Sequence, residues 1–360
     1  MRKLASIREV YDIRPIEGRD MIEQALIDGW NVIVKKDEFK PGDLCVYVEI
    51  DSKMPARPEF EFLAKRDYVI KTMKMAGVRS EGIAFPLSIL PKRTLKDVFV
   101  GKDVTKVLGI TQYNKEPEVS VKWTQRLLNW FMRFEVVRKV FKNSKQVKNA
   151  RVGFPNWISK TDEERIQNCT KVLDLGLTWR ATEKLDGSSA TFGLRLSKYG
   201  EPEYIVCSRN IQLFDTDNVW HRISEELNMR QVLEQLANAM GAQESVVIQG
   251  EIIGPKIQQN KYKLDAPMFR MFNFKIDGKQ ISYADGELKI YGIENVPIHT
   301  PSMRLEGHTV DSLLQYATFK SAINPTVLAE GLVFRSIDNI DGRFYSFKAV
   351  SPDFLIKNKE

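Results

Sequence analysis

Residues 183–189 read Glu183-Lys184-Leu185-Asp186-Gly187-Ser188-Ser189 and join a strand-like run to a Gly-Ser turn. Residues two apart in an extended segment lie on the same face, so Lys184 and Asp186 are expected to point into one pocket. Gly187 lets the backbone approach a ligand closely because glycine has no Cβ. A lysine in such a pocket becomes a nucleophile when its amine is deprotonated, which desolvation or a neighbouring cation favours.

Length and composition indicate a globular protein of two domains. The chain has 360 residues, of which 28% are charged and 43% hydrophobic, as is ordinary for a soluble protein. It has no apolar run of transmembrane length and no signal-peptide core near residue 1. The three cysteines are widely separated, which argues against a zinc site or a disulfide framework. We therefore expect a cytoplasmic protein without membrane attachment.

The positive charge is concentrated in one segment. The net charge is +7, but Lys122–Arg151 alone carries nine basic residues and one acid, as expected for contact with a polyanion. Trp123–Lys142 mixes large apolar residues with arginines and resembles a basic amphipathic helix. Such a helix attaches to a membrane surface or packs on the protein with its basic face toward phosphates, and we favour the second. Neutralising Arg133, Arg138 and Lys139 should then weaken substrate binding and its salt dependence.

The first part of the chain has the pattern of a small β-barrel. Leu44–Ile50 alternates apolar and other residues, Trp30–Val34 is a second β-like run, and Ser80–Pro86 is a third closed by proline. Short strands separated by such turns predict an OB-like β-barrel over residues 1–111. A basic hinge, or helical insert, is predicted over residues 112–160.

The second domain, residues 161–360, mixes strands with a helix. Apolar spacing predicts one helix from Ile223 to Met240, stopped by Gly241. Strand-like runs are Leu173–Thr182 (broken at Gly176), Ala190–Leu196, Tyr204–Asn210, Ser245–Glu251, Met268–Ile276, Glu330–Arg335 and Phe344–Val350. The fold class expected for the whole chain is α+β.

Six short motifs follow one another along this second domain: Lys184-Leu185-Asp186-Gly187, Ser208-Arg209-Asn210, Gly250-Glu251, Phe269-Arg270-Met271-Phe272, Glu330-Gly331-Leu332-Val333-Phe334 and Ser346-Phe347-Lys348. They resemble motifs I, Ia, III, IIIa, IV and V of the covalent nucleotidyltransferase superfamily, which comprises polynucleotide ligases and mRNA capping enzymes. Residues 3–6 and 42–51 further resemble the OB module of the RNA ligase family typified by the Deinococcus and Naegleria enzymes. The resemblance implies a nucleotidyltransferase (ATP-grasp-like ligase) domain of antiparallel sheets with flanking helices.

The resemblance also implies a reaction. Lys184 would attack the α-phosphorus of ATP, release pyrophosphate and form lysyl-AMP. The AMP would move to an RNA 5′-phosphate, and a 3′-hydroxyl would then displace it and close the phosphodiester. Each step is an in-line displacement at phosphorus, so positioning and charge neutralisation supply most of the catalysis.

The resemblance assigns the remaining site residues. Phe272 would stack on adenine, Glu183 would contact the base edge, and Arg209 and Lys348 would hold phosphates. The full nucleotide-binding set is Glu183, Lys184, Ser189, Arg209, Glu251, Phe272, Glu330 and Lys348.

A divalent cation is the second implied ligand. Mg²⁺ or Mn²⁺ would be held by Asp186, Glu251 and Glu330, directly or through water, although Glu251 would alternatively bind the ribose hydroxyls.

The sequence favours an ATP-dependent RNA ligase acting in RNA repair over several alternatives. DNA ligases and capping enzymes usually place an OB domain after motif V, but only twelve residues follow Lys348, so we expect none. A non-catalytic RNA-binding protein would not need the nucleophile. One departure is Ser346, where many ligases carry the first lysine of motif V, so Lys348 or Arg335 must compensate. The expected partner is RNA with nicked or broken strands, including an RNA/DNA hybrid, and the expected state is a monomer.

Overall fold

The computed structural model describes residues 3–113, 152–197, 200–281 and 291–358. The strands are β1 (Ala5–Ile16), β2 (Arg19–Ile27), β3 (Trp30–Lys35), β4 (Leu44–Val48), β5 (Ser52–Lys53), β6 (Met73–Met75), β7 (Val78–Ser80), β8 (Ile83–Pro86), β9 (Thr111–Gln112), β10 (Val152–Gly153), β11 (Thr178–Lys184), β12 (Ser188–Arg195), β13 (Glu203–Cys207), β14 (Ile211–Gln212), β15 (Ser245–Ile253), β16 (Met268–Ile276), β17 (Lys279–Gln280), β18 (Ile298–Arg304), β19 (Gly331–Ser336) and β20 (Ser346–Val350). The α-helices are α1 (Thr105–Leu108), α2 (Val219–Glu226), α3 (Met229–Ala239), α4 (Val310–Tyr316) and α5 (Pro352–Asn358). Short 3₁₀ helices span Pro58–Arg66, Leu87–Ile89, Thr94–Lys96, Ile166–Asn168, Thr170–Asp174 and Gln258–Asn260.

The N-terminal sheet curls around one long strand. Its strand order is β3-β2-β1-β4-β8. The first half of β1, Ala5–Glu9, pairs with β4, and the second half, from Val10 to Ile16, pairs with β2 across an irregular register. A strand that changes partner at a bulge bends its sheet toward closure. The predicted OB-like fold of this part is confirmed.

The second domain contains two antiparallel sheets. The larger has the order β10-β14-β13-β12-β15-β16-β17, and the smaller has the order β18-β11-β19-β20. Helix α3 packs on β12 and β15 of the larger sheet, and Trp179, Phe334 and Phe347 form an aromatic core beneath the smaller one. Because β11 and β12 are consecutive but lie in different sheets, the turn between them lies where the sheets meet. The predicted α+β class with antiparallel sheets is confirmed.

Two predicted elements differ in detail. The predicted helix from Ile223 to Met240 is two helices, because Asn228 between α2 and α3 takes a left-handed backbone with φ of 47°. The predicted strand from Leu173 begins only at Thr178, since Thr170–Asp174 forms a 3₁₀ helix before Gly176.

A single asparagine ties the N-terminal barrel to the second domain. The Asn168 side chain accepts a hydrogen bond from Trp30 Nε1 at 3.0 Å and donates one to Glu49 at 2.7 Å. Arg79 and Asp311 form an ion pair at 3.0 Å elsewhere along the same contact.

The core of the barrel also includes residues from far along the chain. Val350 of β20 and Leu355 of α5 are buried among the barrel residues. The two domains therefore share apolar packing as well as polar contacts.

One predicted helix lies in a part of the chain that the structure does not describe. The predicted helix Trp123–Lys142, with Arg133, Arg138 and Lys139, lies outside the described residues, as does most of the predicted hinge 112–160. Within the described ranges, no helix combines the length and apolar character that crossing a bilayer requires. All three cysteines are free thiols.

Candidate active site

Lys184 lies at the junction of the two sheets of the second domain. It is the last residue of β11 and pairs in register with Gly331 of β19. Glycine is required opposite it, because φ at Gly331 is +155° and a Cβ there would lie 2.2 Å from the Ala349 carbonyl oxygen. Gly187 is equally constrained, since its Cβ would lie 2.3 Å from the Ile252 carbonyl oxygen. The backbone thus crosses from one sheet to the other directly beside Lys184.

The Lys184 amine is held by a carboxylate. Its Nζ donates a hydrogen bond to Glu330 Oε2 at 2.6 Å. Burial alone would lower the pKa of Lys184, but the carboxylates of Glu330, Glu251 and Asp186 outweigh it and raise the pKa above its usual value. The protonated amine is therefore the resting form, and a second cation in the cleft would favour the neutral, nucleophilic form.

Glu251 lies on β15 across from Ser189 of β12, so the two share one face of the larger sheet. Burial raises the pKa of Glu251 to about 8, with Glu330 and Asp186 adding to the effect and Lys184 opposing it. Adding another negative charge to this cleft is unfavourable, whereas adding a cation is favourable.

Asp186 is engaged by residues that the sequence interpretation missed. Its carboxylate pairs with Lys261, and its backbone N–H donates to the hydroxyl of buried Tyr262 at 2.8 Å. The Lys261 ammonium also lies 4.8 Å from the centroid of the Phe354 ring. The segment that carries these residues is unusual, with five non-glycine residues at positive φ: Lys256, Gln258, Gln259, Asn260 and Lys263.

Glu183 faces away from Lys184, as alternation along β11 requires, and is 2% exposed. Ser321 Oγ donates to one carboxylate oxygen at 2.5 Å, and the Ala322 N–H donates to the other at 2.9 Å. Burial raises the pKa of Glu183, and these two hydrogen bonds oppose the shift. The carboxylate therefore holds the 321–322 segment against the site.

Phe272 is half-buried in the cleft, with the Arg335 guanidinium 5.9 Å from its ring centroid. Arg335 Nη2 donates to Glu163 at 2.9 Å, and the Ser346 hydroxyl donates to the same carboxylate. Arg335 and Ser346 are partners in register on β19 and β20. A cation thus lies next to the position where motif V departs from the family pattern.

Arg209 and Lys348 occupy different depths. Arg209 follows β13, pairs with Asp162 at 2.8 Å and is more than half exposed. Lys348 is half-buried on β20, opposite Val333 of β19.

All nine residues predicted for the site line one cleft of about 330 Å³: Glu183, Lys184, Asp186, Ser189, Arg209, Glu251, Phe272, Glu330 and Lys348. The cleft also contains Asp51 and Lys71 of the barrel, with Gln112 and Tyr113, which fall in the predicted hinge but are hydrogen-bonded to the barrel next to β5. No local motif marks these four residues, because only the packing of the barrel against the second domain brings them to the site.

The acidic residues fit a divalent cation in part. Asp186, Glu251 and Glu330 offer the oxygen ligands that Mg²⁺ and Mn²⁺ take. In the described portion of the chain, no three acidic, histidine or cysteine side chains form a set that could hold a metal ion. A bound ion would therefore need further ligands from the nucleotide and water, and Lys261 would have to leave Asp186.

Comparisons with known proteins agree with this geometry. A family model described as an OB-fold domain matches residues 4–87, and the model described as RNA ligase matches residues 177–350. A comparison with curated proteins finds no match.

Several solved structures of one RNA ligase resemble the whole chain. The Naegleria gruberi RNA ligase with PPi is 31% identical, with a TM-score of 0.79, and the match covers 100% of this chain and 99% of that one. A lysine-to-alanine mutant of that ligase with ATP and Mn matches at 31% identity and a TM-score of 0.79, covering 99% of each chain. A glutamate-to-alanine mutant with AMP and Mn matches at 30% identity and a TM-score of 0.80, again over 99% of each.

The fold and the site together define an enzyme with an OB module and a nucleotidyltransferase domain built around a cleft lysine. The chain belongs to the RNA ligase family. The predicted family resemblance and the predicted class of enzyme are both confirmed.

Proposed function

We propose that this protein is an ATP-dependent RNA ligase that joins a 3′-hydroxyl to a 5′-phosphate in RNA repair. The reaction would pass through lysyl-AMP and then adenylylated RNA. The observation that carries the proposal is the position of Lys184, whose amine lies in a cleft beside three carboxylates and the Phe272 ring. Nicked or broken RNA as substrate, a monomeric state and a cytoplasmic setting stay predictions.

The first step uses Lys184 as nucleophile. Glu330 Oε2 lies 2.6 Å from Nζ, so it holds the amine in place and is the nearest acceptor for its proton. As the nitrogen–phosphorus bond forms, the bond from the α-phosphorus to the bridging oxygen breaks and pyrophosphate leaves. Asp186, Glu251 and Glu330 are the residues that would hold Mg²⁺ or Mn²⁺. A bound ion supplies positive charge that stabilises the phosphate oxygens and favours neutral Lys184.

The nucleotide would be bound by the other residues of the cleft. Phe272 would stack on adenine with the ring face that Arg335 leaves open, and Arg209 and Lys348 would contact phosphates. Arg335 faces Ser346 in register, which supports the prediction that Arg335 supplies the positive charge that Ser346 lacks.

The test is incubation with α-³²P-labelled ATP and Mg²⁺ or Mn²⁺, followed by a denaturing gel. We expect label on the wild type and on Lys102→Ala, a lysine outside the cleft, and none on Lys184→Ala. The label should pass from the protein to an added 5′-phosphorylated RNA. Label on Lys184→Ala would assign the nucleophile to another lysine, and an unlabelled wild type would overturn ATP-dependent ligation.

A further inference from the structure

Two lysine–aromatic pairs line the cleft in addition to the predicted residues. Lys71 Nζ lies 5.8 Å from the centroid of the Tyr113 ring, and Lys160 Nζ lies 5.8 Å from the centroid of the Phe154 ring. All four side chains line the same cleft as Lys184. One pair belongs to the N-terminal domain, and the other lies beside β10 at the edge of the larger sheet, so the cleft has such a pair from each side of the domain contact.

The backbone around Asp51 positions the first pair. The Tyr113 N–H donates to the Asp51 carbonyl at 2.8 Å, and the Asp51 N–H donates to the Ile70 carbonyl, next to Lys71, at 2.9 Å. Lys71 and Tyr113 are 42 residues apart in the sequence, but both are tied to this one residue. The pair is therefore part of the folded barrel.

Asn210 positions the second pair. The Phe154 N–H donates to the Asn210 carbonyl at 3.0 Å, and Lys160 Nζ donates to Asn210 Oδ1 at 2.9 Å. Phe154 also packs on the small core around Ile158. Both members of this pair thus have fixed neighbours in the second domain.

Acidic side chains close in sequence or structure to the two pairs are themselves in ion pairs. Three acidic side chains of the cleft wall are each matched by an arginine: Asp51 with Arg165 at 3.1 Å, Asp162 with Arg209 at 2.8 Å, and Glu163 with Arg335 at 2.9 Å. Each of these three carboxylates therefore has an arginine partner, and Lys71 and Lys160 bring two further ammonium groups to the wall. Lysines beside aromatic rings suit a ligand that alternates phosphates with flat bases.

We propose that these two pairs bind the single-stranded end of RNA that carries the 5′-phosphate. Tyr113 and Phe154 would stack on bases, and Lys71 and Lys160 would contact phosphates of the same strand, close to Lys184. This inference rests on the proposed function and names its RNA subsite. The triphosphate of ATP is a less suitable occupant, because it has no flat group that could stack on the two aromatic rings.

The experiment measures RNA affinity without chemistry. A 5′-phosphorylated RNA of about ten nucleotides, labelled with fluorescein at its 3′ end, is titrated with protein in the absence of ATP and followed by anisotropy. We expect Tyr113→Ala and Phe154→Leu each to weaken binding about five- to a hundredfold. Leucine keeps the apolar packing of Phe154 while removing its ring. Lys71→Ala and Lys160→Ala should each reduce the slope of log affinity against log salt by about 0.7.

A third pair provides the matched control. Lys102 Nζ also lies 5.8 Å from the Phe99 centroid, but neither residue lines the cleft. Phe99→Ala and Lys102→Ala should bind the RNA like the wild type.

The outcomes separate this inference from the proposed function. Equal RNA affinity of the cleft and control variants would overturn the inference, while labelling of the wild type by ATP would still support ligation. An unlabelled wild type would overturn ligation, even if the cleft variants bind RNA weakly. If the cleft variants lose labelling by ATP but keep the RNA affinity of the wild type, the two pairs bind ATP and not RNA. That result would also overturn the inference.

Discussion

Replacing Glu183 by glutamine tests whether its carboxylate holds the 321–322 segment. Both carboxylate oxygens accept hydrogen bonds, from Ser321 Oγ at 2.5 Å and from the Ala322 N–H at 2.9 Å, and the side chain is 2% exposed. Glutamine has the same shape, but its amide nitrogen only donates, so one of the two donors loses its acceptor. A buried donor without an acceptor costs about 1–3 kcal/mol. We expect Glu183→Gln to lower the free energy of unfolding by that amount.

A double-mutant cycle with Ser321 assigns this cost to the contact. Ser321→Ala removes the donor to Glu183 and also the acceptor of the Ile323 N–H, 3.0 Å away, so it should cost about 1–3 kcal/mol. In the double variant the glutamine amide no longer faces a hydroxyl donor, so the combined loss should be smaller than the sum, by about 0.5–3 kcal/mol.

Urea denaturation followed by tryptophan fluorescence is the assay, because Trp179 lies on the same buried face of β11 as Glu183. The rate of lysyl-AMP formation against ATP concentration is measured in parallel. A change of less than about 0.5 kcal/mol in the unfolding free energy of Glu183→Gln would show that the carboxylate does not hold the 321–322 segment. Weaker ATP binding in such a stable variant would instead support the predicted contact with the base edge.

Three other substitutions address the charge of the cleft and the contact between the domains. Burial raises the pKa of Glu251 from 4.5 to about 8. The folded state therefore keeps a proton that the unfolded chain loses, and stability should fall as pH rises across that window, by at most about 1.4 kcal/mol per pH unit. Glu251→Gln should remove this decline in urea denaturation, and an unchanged slope would contradict the assignment. Lys261→Met should free the Asp186 carboxylate and tighten Mn²⁺ binding measured by calorimetry without ATP, roughly tenfold for an ion pair of about 1.4 kcal/mol. Equal affinity would show that Lys261 does not compete with the ion. Asn168→Ala leaves the buried Trp30 N–H without its acceptor, at a cost of about 1–3 kcal/mol, and limited proteolysis should cut the barrel sooner than in the wild type; an unchanged cleavage rate would argue against this tie between the domains.

Strands with an aromatic-rich or alternating apolar sequence are predicted well because these patterns are local. Met268–Ile276 has the same two ends in the sequence and in the structure, and the strand beginning at Leu44 ends two residues before the predicted Ile50. An apolar or aromatic run marks a strand without knowledge of distant residues. Burial of both faces of Cys45–Val48 depends instead on the packing of the barrel.

The predicted helix from Ile223 to Met240 shows what apolar spacing misses. Ile223 and Leu233 both face the core as predicted, so the apolar period continues through the break. The chain reverses at Asn228 by a single left-handed residue, and asparagine tolerates that conformation better than most. The one feature of the sequence that indicates this break is the asparagine at position 228 within the apolar pattern.

The site was predictable to the extent that motifs mark it. The six motifs contain seven of the nine predicted residues that line the cleft, and Glu183 and Ser189 flank the first motif. The partners of those residues carry no such mark: Lys261 reaches Asp186 only because its segment takes left-handed backbone at residues where side chains disfavour it. Lys71 and Tyr113 reach the cleft only because the barrel packs on the second domain. Such contacts depend on tertiary packing, which a single sequence does not display.

The burial of Val350 and Leu355 in the core of the barrel has a consequence for biosynthesis. The barrel strands leave the ribosome first, but two of the side chains that fill their core are made about 240 residues later. At a synthesis rate of about 5–20 residues per second, that interval is roughly 12–50 seconds. During that time the nascent barrel lacks the packing that Val350 and Leu355 provide in the folded protein, and chaperones that recognise exposed apolar surface have that long to bind it.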